Sequence, residues 1–377
     1  MLRKLCCLGL ILILLLSASA LAEYEQYRLT VGDRLESLQR WEIFPLDAHN
    51  VIVRVFYPQP WHVSWYRDGK LLRTLVSEGE YDSVTSVEPV FEGDGSFSML
   101  CRIPSEEGAT DRFPPPNALA EWTEDGLTKI TPLKERVKAT RWDNRIVFYQ
   151  TDEYVRIQYN GKDTYVSREL ADTFRDMNAV ALADEVFLIR AYNAEKDSQT
   201  IICLDHGNIR YRIDDPLWCN RFFPDGQGGF FTSDWDIAEW TLERDYSPVR
   251  LTHYDRDGKR DRVYGVKGDR VFVTPQKMYI DPGTGIRTLY GSVMEPDRSV
   301  SAVFAVTLDE NMNVAALDVR NIDQDYNGCD ADIYLAPDGY PYVFLYNRDH
   351  PDAVRPAVVP FSRLDQSRDD YGLQIEQ

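Results

Sequence analysis

The chain has 377 residues and carries 61 Asp+Glu against 42 Lys+Arg, a formal net charge of −19. A surface of that sign repels nucleic acid and anionic lipid and favours solubility and cation binding, and no basic patch with interleaved aromatics offsets it. The length suffices for two ordinary domains or one large repeat fold, and no Ser/Gly/Pro-rich linker divides it, so a single body is expected.

At the start, Arg3 and Lys4 precede an uninterrupted apolar run, Leu5 to Leu16, and Ser17-Ala18-Ser19-Ala20-Leu21-Ala22 ends in a small-x-small site. This is the layout of a secretory signal peptide over 1–22, with cleavage after Ala22. The mature protein is then secreted or extracytoplasmic and has no membrane attachment; a retained N-terminal anchor is the alternative. Cys6 and Cys7 lie before or inside the apolar run rather than at the cleavage point, which argues against a lipid anchor. Four cysteines remain: Cys101, Cys203, Cys219 and Cys329. In an oxidising compartment they allow two disulfides, of which Cys203–Cys219 is the favoured pair, with four reduced thiols as the alternative.

From residue 51 onwards short apolar runs recur. They begin at Val51, Phe97, Ile146, Val186, Gly229, Val271, Val303 and Tyr342. Continuous apolar runs of this length, rather than alternating ones, read as strands buried on both faces. A unit of roughly 40–50 residues holding several short strands is what a propeller blade requires. Turn chemistry agrees. Asp68-Gly69, Asp125-Gly126, Asn160-Gly161, Asp257-Gly258 and Asp338-Gly339 sit between strand-like segments and supply the positive φ of a tight hairpin.

The stretch from Phe222 to Val273 shows one unit in full, with strands expected around Phe230-Phe231-Thr232, Trp235 to Leu242, Val249 to Tyr254 and Arg262 to Val266. Tyr27 to Val31 is a candidate strand that would close the ring by joining the last sheet. The one candidate helix is Ser167 to Met177, and it lacks an apolar stripe. The fold expected is all-β, a single β-propeller over 23–364 with seven four-stranded blades (eight is the alternative), each apolar run being the innermost strand of its blade. The polar tail 365–377 is expected to fray.

Several motifs resemble those of known propellers. Asp281-Pro282-Gly283-Thr284-Gly285 looks like the Asp-Pro-x-Thr-Gly turn of quinoprotein-type and kelch-type propellers. Gly228-Gly229 resembles the paired glycines of kelch units, and Tyr254 to Lys259 is similar to a YD-repeat core. Each occurs in one unit only, so the resemblance implies a propeller in general. The Trp-Asp ends of WD40 repeats and the Asp-boxes of sialidases are absent.

Two clusters carry the functional expectations. Asp323-Gln324-Asp325-Tyr326-Asn327-Gly328 fits the first half of a calcium loop, in which oxygen ligands alternate and Gly makes the bend. It looks like the calcium loops of integrin-type propellers. Tyr334 replaces the twelfth-position Glu and Ala331 the ninth-position Asp, so Asp323, Asp325 and Asn327 would be completed by Asp330 and Asp332. The second cluster is Asp234-Trp235-Asp236 with Trp218 and Arg221, a candidate ligand surface in which carboxylates and indole faces suit a sugar ring. No Gly-x-Ser-x-Gly elbow or His-x-x-x-His pair is present, and His206 and His253 read as structural. The expected function is a non-catalytic binding protein that recognises a protein or glycan partner on the ring face or in its funnel. A polysaccharide hydrolase or lyase using funnel carboxylates is one alternative, and an architectural surface protein is another.

Overall fold

The computed structural model describes residues 27–28, 40–45, 49–57, 62–77, 83–84, 90–91, 97–102, 118–123, 125–132, 140–141, 146–150, 154–159, 162–167, 170, 175–183, 185–193, 198–214, 221–233, 249–296, 300–322, 330–336, 339–346, 357–367 and 371–376. Local turn geometry organises them into hairpins. Asp68 (φ 49°) with Gly69 (φ 75°), and His206 (φ 47°) with Gly207 (φ 78°), place two successive residues in the left-handed region. Such pairs match the twist of the flanking strands. A second turn type recurs at Asp255–Lys259 and Asp309–Asn313. In each, the first Asp donates its N–H to the carbonyl of the fifth residue, and the fourth residue has positive φ (Gly258 75°, Met312 64°).

The strands are β1 (Tyr27–Arg28), β2 (Arg40–Pro45), β3 (Asn50–Tyr57), β4 (His62–Arg67), β5 (Lys70–Ser77), β6 (Ser83–Val84), β7 (Val90–Phe91), β8 (Phe97–Arg102), β9 (Ala118–Thr123) and β10 (Gly126–Pro132). They continue with β11 (Thr140–Arg141), β12 (Ile146–Gln150), β13 (Val155–Tyr159), β14 (Lys162–Ser167), β15 (Arg175–Ala183), β16 (Val186–Asn193), β17 (Ser198–Asp205) and β18 (Asn208–Asp214). The remainder are β19 (Arg221–Pro224), β20 (Phe230–Ser233), β21 (Val249–Tyr254), β22 (Arg260–Lys267), β23 (Phe272–Ile280), β24 (Arg287–Met294), β25 (Val300–Leu308), β26 (Val314–Asn321), β27 (Asp330–Leu335), β28 (Pro341–Tyr346), β29 (Ala357–Pro360) and β30 (Gln374–Glu376).

Among the described residues they form seven sheets. In chain order these are β2–β5, β6–β10, β12–β14, β15–β18 with β11 alongside, β19–β22 with β30, β23–β26, and β27–β29 with β1. Neighbours pair antiparallel, except that β11 runs parallel to β15.

The cores lie between successive sheets. Val155 and Ile157 pack with Phe187 and Ile202, Leu188 and Ile201 with Phe230 and Tyr254, and Phe231 and Leu251 with Val293 and Phe304. Val303 and Tyr290 pack with Ile333 and Val343, and Tyr342 and Phe344 with Ile43 and Val53. The last of these joins the final sheet to the first. β1, from the beginning of the chain, pairs with β29 through Tyr27↔Val358 and Arg28↔Ala357, as the ring-closing reading expected. Face-to-face packing of consecutive sheets that returns to its start, fastened by a strand from the opposite terminus, is the organisation of a β-propeller.

Five of the apolar runs are buried on both faces as expected, and burial in the runs at Phe97 and Ile146 lies outside the described side chains. Val51–Val53, Phe187–Ile189, Phe230–Phe231, Val303–Phe304 and Tyr342–Leu345 are fully buried. Each such side chain contributes about 1.5–3 kcal/mol of burial.

The runs at Ile146 and Val271 are β12 and β23, which lead their sheets as expected; the placement of the others needs correction. β3, β20 and β28 are second strands of their sheets and β25 is a third strand, not the innermost. The leading strands do the inner work, β12 touching β15, β15 touching β19, β19 touching β23, β23 touching β27, and β27 touching β2. A strand flanked on both sides by hydrogen-bonded partners and on both faces by sheets has no polar surroundings, whereas a leading strand has an open edge.

Three further expectations change. The candidate helix Ser167 to Met177 ends earlier than expected, since β15 begins at Arg175; Leu170 has helical backbone and donates its amide to Ser167 Oγ at 3.3 Å, and residues 168–169 and 171–174 lie outside the described residues. Cys203 is a free thiol buried on β17 against Leu188 and Phe230, so it does not pair with Cys219; its burial pushes the thiol pKa up. The tail is not frayed. β30 extends the β22 edge through Gly265↔Glu376, Val266↔Ile375 and Lys267↔Gln374, and Leu373 is buried in the core between the fifth and sixth sheets.

Candidate functional site

Of the expected ligand surface, Trp218, Asp234, Trp235 and Asp236 lie outside the described residues, as do the signal peptide, the Trp235 to Leu242 strand and the Asn160-Gly161 turn. Arg221 is described, half-buried on β19, and its role follows from a defect in the neighbouring strand. The register of β23 against β24 passes from Pro275↔Gly291 to Lys277↔Tyr290, which makes Gln276 a β-bulge. The carbonyls at the bulge leave the ladder, and Arg221 Nη1 donates to both, to Pro275 O at 3.3 Å and Gln276 O at 3.1 Å. The bulge in turn aims the Gln276 side chain across to the next sheet. There Nε2 donates to Ala331 O at 2.9 Å and Oε1 accepts Ile333 N–H at 2.6 Å, while within its own sheet Nε2 also donates to Ser292 Oγ of β24 at 3.0 Å. A side-chain amide thus substitutes for a strand partner on the open edge of β27. Arg221 is a clamp between leading strands, not a free ligand contact.

Of the expected calcium ligands, Asp323, Asp325 and Asn327 are outside the described residues. Asp330 and Asp332 belong to β27, opposite Tyr346 and Phe344, where a loop position was expected. Among the described residues no three His, Cys, Asp or Glu side chains gather into a cation site.

Lys277, Tyr334 and Phe44 meet on the leading strands β23, β27 and β2. Lys277 Nζ lies 5.8 Å from the Tyr334 ring centroid, and Phe44 meets the same ring edge-on at 6.3 Å. Lys277 and Tyr334 are half-buried and Phe44 is buried. A cation over a ring, with a second ring bracing it, is a polarised surface suited to a ligand with both hydroxyl and apolar faces.

The constellation the sequence did not disclose is Asp225–His253–Asp261. Asp225 opens the β19–β20 turn, where its Oδ1 accepts the amides of Gln227 at 2.6 Å and Gly229 at 2.9 Å. Its Oδ2 accepts from His253 Nε2 at 3.0 Å, and His253 Nδ1 donates to Asp261 Oδ1 at 2.6 Å. His253 and Asp225 are buried, and Phe231 covers the imidazole face at 4.6 Å. Burial alone would lower the His253 pKa, but the two carboxylates outweigh it and raise it. For Asp225, burial would raise the pKa; the imidazolium and the two amides prevail and lower it. Arg287, also buried, donates Nε to the Asp225 carbonyl at 2.6 Å and ties the turn to the next sheet. While the ring is doubly protonated both nitrogens donate to carboxylates, and the imidazole then has no lone pair with which to take a substrate proton. The sequence signal was the Asp-x-x-x-Gly spacing of the turn, in which Asp serves as an internal acceptor.

Large apolar side chains surface on the outer strands. Leu71 and Leu72 are exposed on β5, Leu127 and Ile130 on β10, Ile209 on β18, and Leu317 on β26. Among the described residues no helix is long and apolar enough to cross a membrane.

The sheet series and these contacts define the class as a β-propeller. No family model and no curated protein sequence matches the chain. Solved structures are similar to it in fold. The WD40 domain of SCAP from fission yeast is 8% identical, with 89% of this chain and 98% of that one covered at a TM-score of 0.42. Hsv2 of Kluyveromyces lactis is 13% identical, covering 91% and 98% at 0.41. A eukaryotic initiation factor is 8% identical, covering 93% and 96% at 0.39. At these values the fold rests on the chain's own sheets, and the likeness assigns no function.

Proposed function

We propose that this protein is a secreted, non-catalytic binding protein whose propeller presents the leading-strand surface around Lys277 and Tyr334 to a glycan or protein partner. One observation carries the reading. The acid–base constellation among the described residues, Asp225–His253–Asp261, is saturated by its own hydrogen bonds, while the cation and ring at Lys277 and Tyr334 stay half-exposed. Function is argued here from the site, since a propeller ring hosts many activities. The apolar leader over 1–22 supports a location beyond the cytoplasm, and N-terminal sequencing of the exported chain is expected to begin at Glu23. A calcium ion held by Asp323, Asp325, Asn327, Asp330 and Asp332 would stiffen the segment entering β27.

The test is a panel of immobilised polysaccharides and glycopeptides, read both for retention and for release of reducing or unsaturated sugar ends. Retention without release, lost in Lys277→Ala and Tyr334→Ala, is expected. Release of chain ends would replace this reading with the hydrolase or lyase alternative.

A further inference from the structure

We propose that Asp225, His253 and Asp261 form a protonation latch that fastens the β19–β20 turn to β21 and β22, closed while the imidazole carries both protons and opened on the Asp261 side as the pH rises. The geometry dictates the asymmetry. Each carboxylate accepts from one ring nitrogen, so the doubly protonated ring makes two charge-assisted bonds. A neutral ring keeps one N–H. Asp225 is 3% exposed and is already fixed by two backbone amides, so it cannot move to water, whereas Asp261 is 41% exposed and can. The remaining proton therefore stays on Nε2, facing Asp225. The bare Nδ1 then confronts the Asp261 carboxylate lone pairs, and Asp261 turns out to solvent.

Among the described residues the groups around the imidazole are those two carboxylates, the Phe231 ring, Arg262 opposite His253 in the β21–β22 register and, one step removed on the Asp225 carbonyl, the Arg287 guanidinium. Asp261 stands near the head of β22, next to the Asp255–Lys259 turn. That turn carries Asp257, which pairs with Arg210 of the preceding sheet at 2.9 Å. Opening the latch thus loosens the tip that ties the fourth and fifth sheets together.

The sign is that of a histidine whose pKa rises on folding. The stabilisation is complete below the unfolded value near 6.5 and is lost as pH rises through the folded value. The test uses the full mature chain. Nitrogen chemical shifts of the His253 ring are followed from pH 5 to 9, and melting temperature is measured over the same range for wild type and Asp261→Asn. Expected are two N–H signals at pH 5, one on Nε2 at pH 9, and a fall in melting temperature over the same interval. In Asp261→Asn both midpoints should move to lower pH. A ring that keeps both protons to pH 9, or is neutral throughout, overturns the latch. So does a wild-type melting profile that Asp261→Asn leaves unmoved.

Discussion

Replacing Gln276 by Met isolates the inter-sheet role of the bulge, because the volume is nearly kept while every polar contact is deleted. Gln276 is 8% exposed, and its amide serves Ala331 O, Ile333 N and Ser292 Oγ. Ser292 can turn its hydroxyl to another acceptor, but the two backbone groups on β27 face the neighbouring sheet and have no strand to receive them. Each buried backbone group left unpaired costs about 1–3 kcal/mol, which gives ~3 kcal/mol for the pair with some relief from the added apolar contact. The assay is urea denaturation, in which the midpoint should fall at an unchanged slope, together with hydrogen exchange at the Ile333 amide, which should become fast. Arg221→Met should cost less, about 1 kcal/mol, because the guanidinium it removes is only half-buried and water can enter in its place to reach the bulge carbonyls. The two changes should not add, since both act through one bulge. A Gln276→Met variant within about 0.5 kcal/mol of wild type, the range of an ordinary surface change, would refute the clamp.

Gly339 has φ 83°, and a Cβ there would overlap the Tyr279 ring, so Gly339→Ala should lower stability by about 1–3 kcal/mol, read as a fall in the denaturation midpoint. Deleting 371–377 removes Leu373 from the core, the partly buried Ile375 and the β30 pairing, and should cost roughly 3 kcal/mol and render the β22 edge protease-sensitive. For the acidic segment at Asp323, melting temperature should rise with calcium over chelator, about 2.7 kcal/mol at a hundredfold excess over the dissociation constant; coincident melting curves would remove the ion.

What the sequence disclosed was what short-range chemistry determines. Asp68-Gly69, Asp125-Gly126 and Asp257-Gly258 turn the chain where expected, because positive φ is demanded and supplied within two residues. Runs such as Val51–Val53 announce burial on both faces, because each successive side chain points the opposite way and all are apolar. The same logic misplaced most of these runs within their sheets, β12 and β23 excepted. Double burial tells that a strand has neighbours on every side, and a middle strand satisfies that better than a leading one. The tail was misread for the opposite reason. Its polar composition hid Leu373 and Ile375, two side chains too few to make a run yet enough to dock three residues of strand.

The site was less legible because its partners are joined through space. His253 and Asp225 are 28 residues apart, and Arg221 reaches Gln276 across 55. Each residue alone has an ordinary local explanation, His253 as an alternating strand position and Asp225 as a turn acceptor. The information lies in a register shift, a single extra residue at Gln276, which no local pattern reveals. That shift explains why Arg221 and Gln276 sit on leading strands. An edge strand presents unpaired amides and carbonyls that apolar side chains cannot satisfy, so Arg221 and Gln276 stand where the apolar pattern lapses. By the same argument the half-buried Lys277 and Tyr334, one residue past the bulge and one residue past Ile333, lie on those same leading strands, and that shared position is why the proposed binding surface falls there.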